Sequence, residues 1–156
     1  MGCGTGRVAA LLAPYVRTLT ISDRAPAMLA VARTLAPVLL RCGPKAPDLC
    51  VEASPRLVVG GRAVSGNAFL ANPDYRAYLA TQLGAQAVDM ETAALAHVAA
   101  ANGVPFIAFR SVSDLAGGQD HTQVGAFFGS GLAETNEASV TLAFLAAWGE
   151  AARKRR

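Results

Sequence analysis

Residues 87–114 carry the main structural signal of this chain: Ala87-Val88-Asp89-Met90-Glu91-Thr92-Ala93-Ala94-Leu95-Ala96, then Val104-Pro105-Phe106-Ile107-Ala108-Phe109-Arg110-Ser111-Val112-Ser113-Asp114. The pattern predicts the end of a strand, a helix, and a second strand that delivers another acid. Glu91 and Asp114 would then stand at the carboxyl ends of two strands in one βαβ unit. Open α/β sheets bind their ligands at that rim, so the two acids are candidates for chemistry.

Further elements follow from local signals on either side of this unit. Asn72-Pro73 is an N-cap followed by the residue best suited to the first helical position, and Gly103 suits the left-handed position after a helix. Gly129-Ser130-Gly131 should interrupt any helix that follows Asp114. The sequence predicts strands at 18–21, 57–59, 62–64, 86–88 and 104–109, and helices at 27–33, 73–83, 91–102 and 137–153.

Composition limits the class of protein. The 156 residues are 53% hydrophobic and 16% charged, which is typical of a globular domain, and no apolar run is long enough to cross a bilayer. The net charge of +3 comes from the terminal Arg153-Lys154-Arg155-Arg156, because the remainder has ten basic against eleven acidic residues. We therefore expect no nucleic-acid or membrane partner. Three cysteines without C-x-x-C spacing indicate neither a disulfide framework nor a zinc site, and we expect a cytoplasmic protein.

Each acid also has a simpler explanation. Glu91 could merely complement a helix dipole, which is worth up to about 1 kcal/mol, and Asp114 could begin a loop, where aspartate is common. The combination favours a site, because an apolar strand leads directly to Asp114 while a second acid stands at the end of the neighbouring strand. His97, within a helix, and His121, in a polar loop, receive no predicted role.

Three motifs together resemble the nucleoside phosphorylase/nucleosidase superfamily: Val88-Asp89-Met90-Glu91-Thr92-Ala93-Ala94, Arg110-Ser111-Val112-Ser113-Asp114 and Val64-Ser65-Gly66-Asn67-Ala68-Phe69. The likeness covers residues 39–148 and is strongest to the methylthioadenosine/S-adenosylhomocysteine nucleosidases. It implies an α/β fold with a partial phosphorylase-type mixed sheet and flanking helices. It also implies a homo-oligomer, a purine nucleoside as ligand, and no cofactor.

The resemblance assigns roles to particular residues. Asp114 would face N7 of the purine and donate the proton that makes the base a good leaving group. Glu91 would hold the ribose hydroxyls, with Ser113 and Arg110 also binding substrate. Arg110 would oppose protonation of Asp114 if it pointed at that carboxyl, and the sequence leaves its direction open.

Two apolar residues complete the implied site. Phe69 would stack on the purine and Met90 would pack under the sugar. Ordinary core packing is the competing explanation for both, and for Met90 it is the stronger one, because methionine commonly fills gaps between elements.

The first 36 residues resemble a different family, the class I S-adenosylmethionine-dependent methyltransferases. Gly2-Cys3-Gly4-Thr5-Gly6 would let the backbone approach the cofactor, S-adenosylmethionine (SAM), and Asp23 would bind its ribose hydroxyls. A glycine-rich turn without a ligand and a transit peptide are the alternatives. We predict a short Rossmann-like βα fragment over 1–36 and the C-terminal part of a phosphorylase-type domain over 37–156.

The predicted reaction is cleavage of the N-glycosidic bond of methylthioadenosine or S-adenosylhomocysteine, with release of adenine. The resemblance also implies a water-activating acid and a Gly/Ser-rich turn in the first half of the domain, and neither has a counterpart here. The sequence therefore leaves open whether this chain alone catalyses the reaction. A nucleoside-binding remnant without catalysis and a SAM-binding methyltransferase fragment are the alternatives.

Overall fold

The computed structural model describes residues 18–23 and 26–154. In chain order the elements are β1 (Thr18–Asp23), α1 (Pro26–Ala32), β2 (Cys42–Gly43), β3 (Ala46–Cys50), β4 (Arg56–Val59), β5 (Ala63–Ser65), α2 (Pro73–Leu83), β6 (Ala87–Asp89), α3 (Thr92–Ala101), β7 (Ile107–Ser111), α4 (His121–Gly129) and α5 (Leu132–Arg153). The predicted α/β class is confirmed.

The strands form one mixed sheet and two smaller pairs. In the mixed sheet β1 is the middle strand, parallel to β4 and antiparallel to β7. One pair joins β5 and β6 in parallel, and the other is the antiparallel β2–β3 hairpin. We expected the strands before Glu91 and before Asp114 to be neighbours. That expectation is wrong for the described residues, where β6 pairs with β5 and β7 pairs with β1.

The main core lies between the mixed sheet and the helices α1 and α5. Ala32, Val140 and Phe144 are buried at its centre. Alternate residues of two strands pack against them: Leu57 and Val59 from β4, and Ile107 and Phe109 from β7. Since alternate side chains of a strand point to opposite faces, the residue after Phe109 projects to the other side of the sheet.

Local capping explains the ends of α2 and α3. The Asn72 side chain accepts hydrogen bonds from the N–H groups of Asp74 and Tyr75, both at 3.0 Å, and Gly84 closes α2 in the left-handed conformation. The helix predicted over 73–83 is therefore confirmed. Helix α3 begins one residue later than predicted, at Thr92, with Glu91 at the N-cap position. Gly103 has φ +65°, as expected.

Two features were not predicted. Pro44, Pro47 and Pro55 favour a loop in the sequence, but this segment contains the β2–β3 hairpin. A short hairpin tolerates proline because only alternate residues of each strand need their N–H groups for pairing. Helix α4 occupies the region after Asp114, where we had placed a polar loop. The break predicted at 129–131 is confirmed, since α4 ends at Gly129 and α5 begins at Leu132.

The cysteine prediction is also wrong in part. Cys42 and Cys50 form a disulfide, although their number and spacing gave no sign of one. The hairpin register explains the pairing, because Cys42 stands opposite Cys50 across the two strands. Among the described helices, none is both long and apolar enough to cross a membrane.

Candidate functional site

The carboxyl ends of β5 and β6 place Ser65 directly opposite Asp89. The Asp89 carboxylate accepts hydrogen bonds from the hydroxyl groups of Ser65 and Thr92, and from the backbone N–H of Thr92 at 3.2 Å. Its side chain is only 9% exposed. Ser65 also accepts the N–H of Ala93 at 2.9 Å, so these polar groups tie the end of the parallel pair to the start of α3.

Arg110 joins this group from β7. Its Nε lies 3.0 Å from Oδ2 of Asp89 and 2.9 Å from Oγ1 of Thr92, and its Nη2 lies 3.3 Å from Oε2 of Glu91. Arg110 therefore binds the two acids of the β6–α3 junction, which answers the question of its direction. We call Ser65, Asp89, Glu91, Thr92 and Arg110 the carboxylate cluster.

A second group of residues lines a cleft of about 100 Å³. Its lining residues come from the segment before α2, the loop after β7 and the first turns of α4: Phe69, Ala71, Asp114, Gly117, Gly118, Gln119, His121 and Val124. The cleft thus brings together Phe69 and Asp114, which were proposed from separate motifs. Glu91, Met90 and Arg110 are not among its lining residues.

The two apolar candidates are not core residues. Phe69 is 61% exposed and Met90 is 44% exposed, so ordinary core packing, which competed with a binding role for each, does not describe them. The exposed Phe69 ring forms part of the cleft wall and is available to a flat ligand. Stacking on a base remains a prediction.

Asp114 is half-buried and held by two local hydrogen bonds. The Ser113 hydroxyl donates to Oδ2 at 2.8 Å, and the N–H of Ala116 donates to Oδ1 at 2.7 Å. Because each carboxylate oxygen has two lone pairs, both retain an acceptor position for a ligand in the cleft. Ser113 was predicted to bind substrate, and its hydroxyl here bonds the neighbouring acid.

His121 lines the cleft although the sequence gave it no role. It is the first residue of α4, and Asp120 caps that helix by accepting the N–H groups of Thr122 at 2.8 Å and Gln123 at 3.2 Å. These backbone hydrogen bonds lower the pKa of Asp120, and the bond from Gln123 has the largest effect. The sequence signal for this helix is Asp120, an N-cap residue followed by residues compatible with a helix. It predicts a helix start where we had placed a loop.

In the described part of the chain, no group of three or more His, Cys, Asp or Glu side chains could hold a metal ion. Of the residues predicted to bind SAM, Gly2, Gly4 and Gly6 lie outside the described residues. Asp23 is the last residue of β1, opposite Ile107. The SAM site stays a prediction.

The sequence profile of the Phosphorylase superfamily matches residues 9–146. The chain belongs to this superfamily. The match includes β1 and α1, which lie in the segment with the methyltransferase resemblance. The domain boundary near residue 36 stays a prediction.

Individual relatives match parts of the chain. A 5′-methylthioadenosine/S-adenosylhomocysteine nucleosidase of Treponema pallidum (strain Nichols) is 47% identical over 62 residues, which are 40% of this chain and 23% of that protein. An uncharacterized protein of Mycobacterium tuberculosis is 46% identical over 68 residues, which are 42% of this chain and 92% of that protein. The chain therefore spans less than a quarter of the nucleosidase that it matches.

Solved structures share the fold. The nucleosidase for the same two compounds from Colwellia psychrerythraea 34H, in complex with adenine, has a TM-score of 0.62 at 20% identity, covering 92% of this chain and 64% of that one. A futalosine hydrolase mutant of Helicobacter pylori has a TM-score of 0.59 at 20% identity, covering 93% and 66%. The phosphorylase-type fold predicted from the motifs is thus confirmed.

Proposed function

We propose that this chain binds a purine nucleoside in the cleft and cleaves its N-glycosidic bond, with Asp114 as the acid on the base. The observation that carries the proposal is the meeting of Phe69 and Asp114 in one cleft. An exposed aromatic ring offers a stacking surface for the flat base. A carboxyl group at its side can exchange a proton with a ring nitrogen.

The reaction breaks the bond between C1′ of the ribose and N9 of the purine. The electron pair moves onto the base, and a proton from Asp114 arrives at N7, so the base leaves as a neutral molecule. The sugar becomes oxocarbenium-like and is attacked at C1′ by water or by phosphate. With water as nucleophile, a proton is released and the free sugar results. With phosphate, the product is the sugar phosphate.

The carboxylate cluster supports the sugar-binding part of the proposal. Glu91 is exposed and carries one hydrogen bond from Arg110, which leaves acceptor positions for ribose hydroxyls. Asp89 is saturated by its own neighbours and serves to hold Arg110 and the start of α3. Met90, exposed between these two acids, would contact the sugar.

The proposed substrates are methylthioadenosine and S-adenosylhomocysteine. The partial identity to the Treponema nucleosidase supports them. Futalosine is a third candidate, since the hydrolase named for it shares the fold. The proposed roles of Phe69 and Asp114 concern the base, so they do not select among groups at the 5′ position of the sugar.

The test is release of the base from each compound by the purified 156-residue chain, with and without phosphate. Asp114→Asn should abolish release while sparing binding of the nucleoside, and Asp48→Asn, an exposed acid on β3, is the matched control. A requirement for phosphate would identify phosphorolysis. Release that survives Asp114→Asn would contradict the assignment of the acid, and binding without any release would favour a nucleoside-binding protein.

A further inference from the structure

The loop that carries Asp114 has an unusual backbone. Ala116 has φ +54°, although it is not a glycine, and Gly117 and Gly118 follow at φ +116° and +82°. Left-handed backbone at a residue with a Cβ costs about 1–2 kcal/mol. Such a conformation persists only where surrounding contacts determine it. The contacts that hold this loop are therefore of interest.

Arg76 supplies the most direct of those contacts. It lies on α2, half-buried, and its Nη1 donates to the carbonyl oxygens of Leu115 at 2.5 Å and Gly117 at 2.8 Å. One guanidinium nitrogen thus bridges two carbonyls on either side of Ala116. Hydrogen bonds from a charged donor are stronger than those between neutral groups.

The same helix meets the loop at a second point. A Cβ added to Gly117 would lie 2.6 Å from the backbone nitrogen of Asn72 and 2.7 Å from the carbonyl carbon of Ala71. Backbone therefore packs directly on backbone where the loop crosses the start of α2. Asn72 caps α2, and Ala71 lines the cleft, so this contact joins the two walls of the cleft.

The contacts of the Asp114 loop with α2 determine how far apart the two groups of cleft-lining residues lie. Phe69 and Ala71 line the cleft from the segment that leads into α2, and we call them the first wall. Asp114, Gly117 and Gly118 line it from the loop after β7, and we call them the second wall. Arg76 is fixed to the first wall through α2 and bonded to the second through its guanidinium. Because the N–H of Ala116 donates to the Asp114 carboxylate, the conformation of the loop also determines the position of that carboxylate.

We propose that Arg76 is a positioning residue, which holds the Asp114 loop against α2 and so sets the placement of the Asp114 carboxylate relative to the Phe69 ring. The proposal rests on the proposed function for its catalytic consequence. The fixation of the loop itself does not depend on that function. Arg76 bonds backbone carbonyls and is not assigned a contact with substrate.

The chain contains a matched control. Arg62 also donates from Nη1 to a backbone carbonyl, that of Leu83 at 2.9 Å, at the opposite end of α2 and outside the cleft lining. Arg76→Met and Arg62→Met therefore remove the same kind of bond from the two ends of one helix. Arg76→Lys keeps a charged donor with less reach.

The first measurement is amide hydrogen exchange of the full chain. In Arg76→Met we expect the amides of Leu115 and Ala116 to exchange about tenfold faster, with Arg76→Lys between this variant and the unsubstituted chain. Arg62→Met should leave both amides unchanged. Equal protection of the loop in all variants would overturn the proposal, whether or not the chain is an enzyme.

The second measurement is the kinetics of base release. Arg76→Met should lower kcat about tenfold to a hundredfold, because small misplacement of a catalytic group is costly, while KM changes little. Arg76→Lys should recover part of kcat. Loss of folded protein with an unchanged kcat per folded molecule would show a merely structural role and overturn the proposal. If the unsubstituted chain releases no base, the proposed function fails and the exchange measurement alone decides on Arg76.

Discussion

Nε of Arg110 lies 3.0 Å from Oδ2 of Asp89, and this ion pair connects β7 to the junction of β6 and α3. Among the described residues the two strands belong to different sheets, so the ion pair links elements that are not joined by strand pairing. Asp89 is 9% exposed and Arg110 is 32% exposed. Because both side chains are largely shielded from water, removing this ion pair should change the free energy of unfolding measurably, unlike the loss of most surface ion pairs.

Arg110→Met should destabilise the protein by about 2 kcal/mol, because it leaves a nearly buried carboxylate without its countercharge. Urea unfolding measures the change. Combining the substitution with Asp89→Asn should cost less than the sum of the two single changes. Strict additivity of the two would show that the pair contributes nothing.

Phe69→Leu should weaken adenine binding about three- to tenfold, because the leucine lacks the flat ring on which a base stacks. The free energy of unfolding should change by less than about 0.5 kcal/mol, since the side chain is mostly exposed. Phe128→Leu is the control, an exposed phenylalanine of α4 outside the cleft lining. Calorimetric titration with adenine measures the affinity, and an equal loss in both variants would argue against stacking at Phe69.

Gly117→Ala and Gly118→Ala should differ in their effect on stability. Gly118 has open space around its Cβ position, so alanine there costs only the backbone strain, about 1–2 kcal/mol. At Gly117 the added methyl group would overlap the backbone of Asn72, and we expect a loss of at least about 2 kcal/mol. Thermal or urea unfolding of the two variants checks this order, and the reverse order would contradict the contact between the loop and α2.

The Cys42–Cys50 disulfide closes a short loop, with a sequence separation of 8 residues. Restricting a loop of that length in the unfolded chain is worth about 2–3 kcal/mol. A Cys42→Ser/Cys50→Ser variant should lose that amount in urea unfolding. Its stability should then not respond to a dithiol reductant, whereas that of the unsubstituted chain should fall, and an unchanged stability on reduction would refute this contribution.

Asp120→Ala should lower the melting temperature at neutral pH, because α4 loses the side chain that caps it. The pKa of Asp120 in the folded state lies below its ordinary value of 3.8, so its contribution to stability is present above that value. It is lost as the pH falls through the folded-state pKa. The difference in melting temperature between the unsubstituted chain and Asp120→Ala should therefore become smaller in acid. Asp120→Asn keeps an acceptor oxygen and should retain part of the cap. A gap that persists at the lowest pH would exclude this linkage.

Local signals predicted most of the elements. Asn72, Pro73 and Gly103 mark helix ends through backbone chemistry that depends on few neighbours. The strands that precede Glu91 and Asp114 are short, mainly apolar runs. The start of α4 and the hairpin at 42–50 were missed, because their signals are short and the prolines pointed to a loop.

The motifs indicated a candidate site, but they did not predict the contacts of its residues. Phe69 and Asp114 do meet in a cleft, whereas their catalytic roles stay predictions. The direction of Arg110, the buried position of Asp89 and the loop contacts of Arg76 depend on residues distant in sequence. His121 was missed because its place in the cleft follows from the orientation of α4, which no local pattern encodes.

The central position of β1 has a consequence for any shorter form of this protein. A polypeptide beginning at residue 37 would lack the strand that joins β4 to β7, and both strands would present unpaired N–H and C=O groups. Open edges of that kind recruit strands from other molecules. Such a fragment would retain all the motifs of the nucleosidase resemblance and still be prone to aggregate.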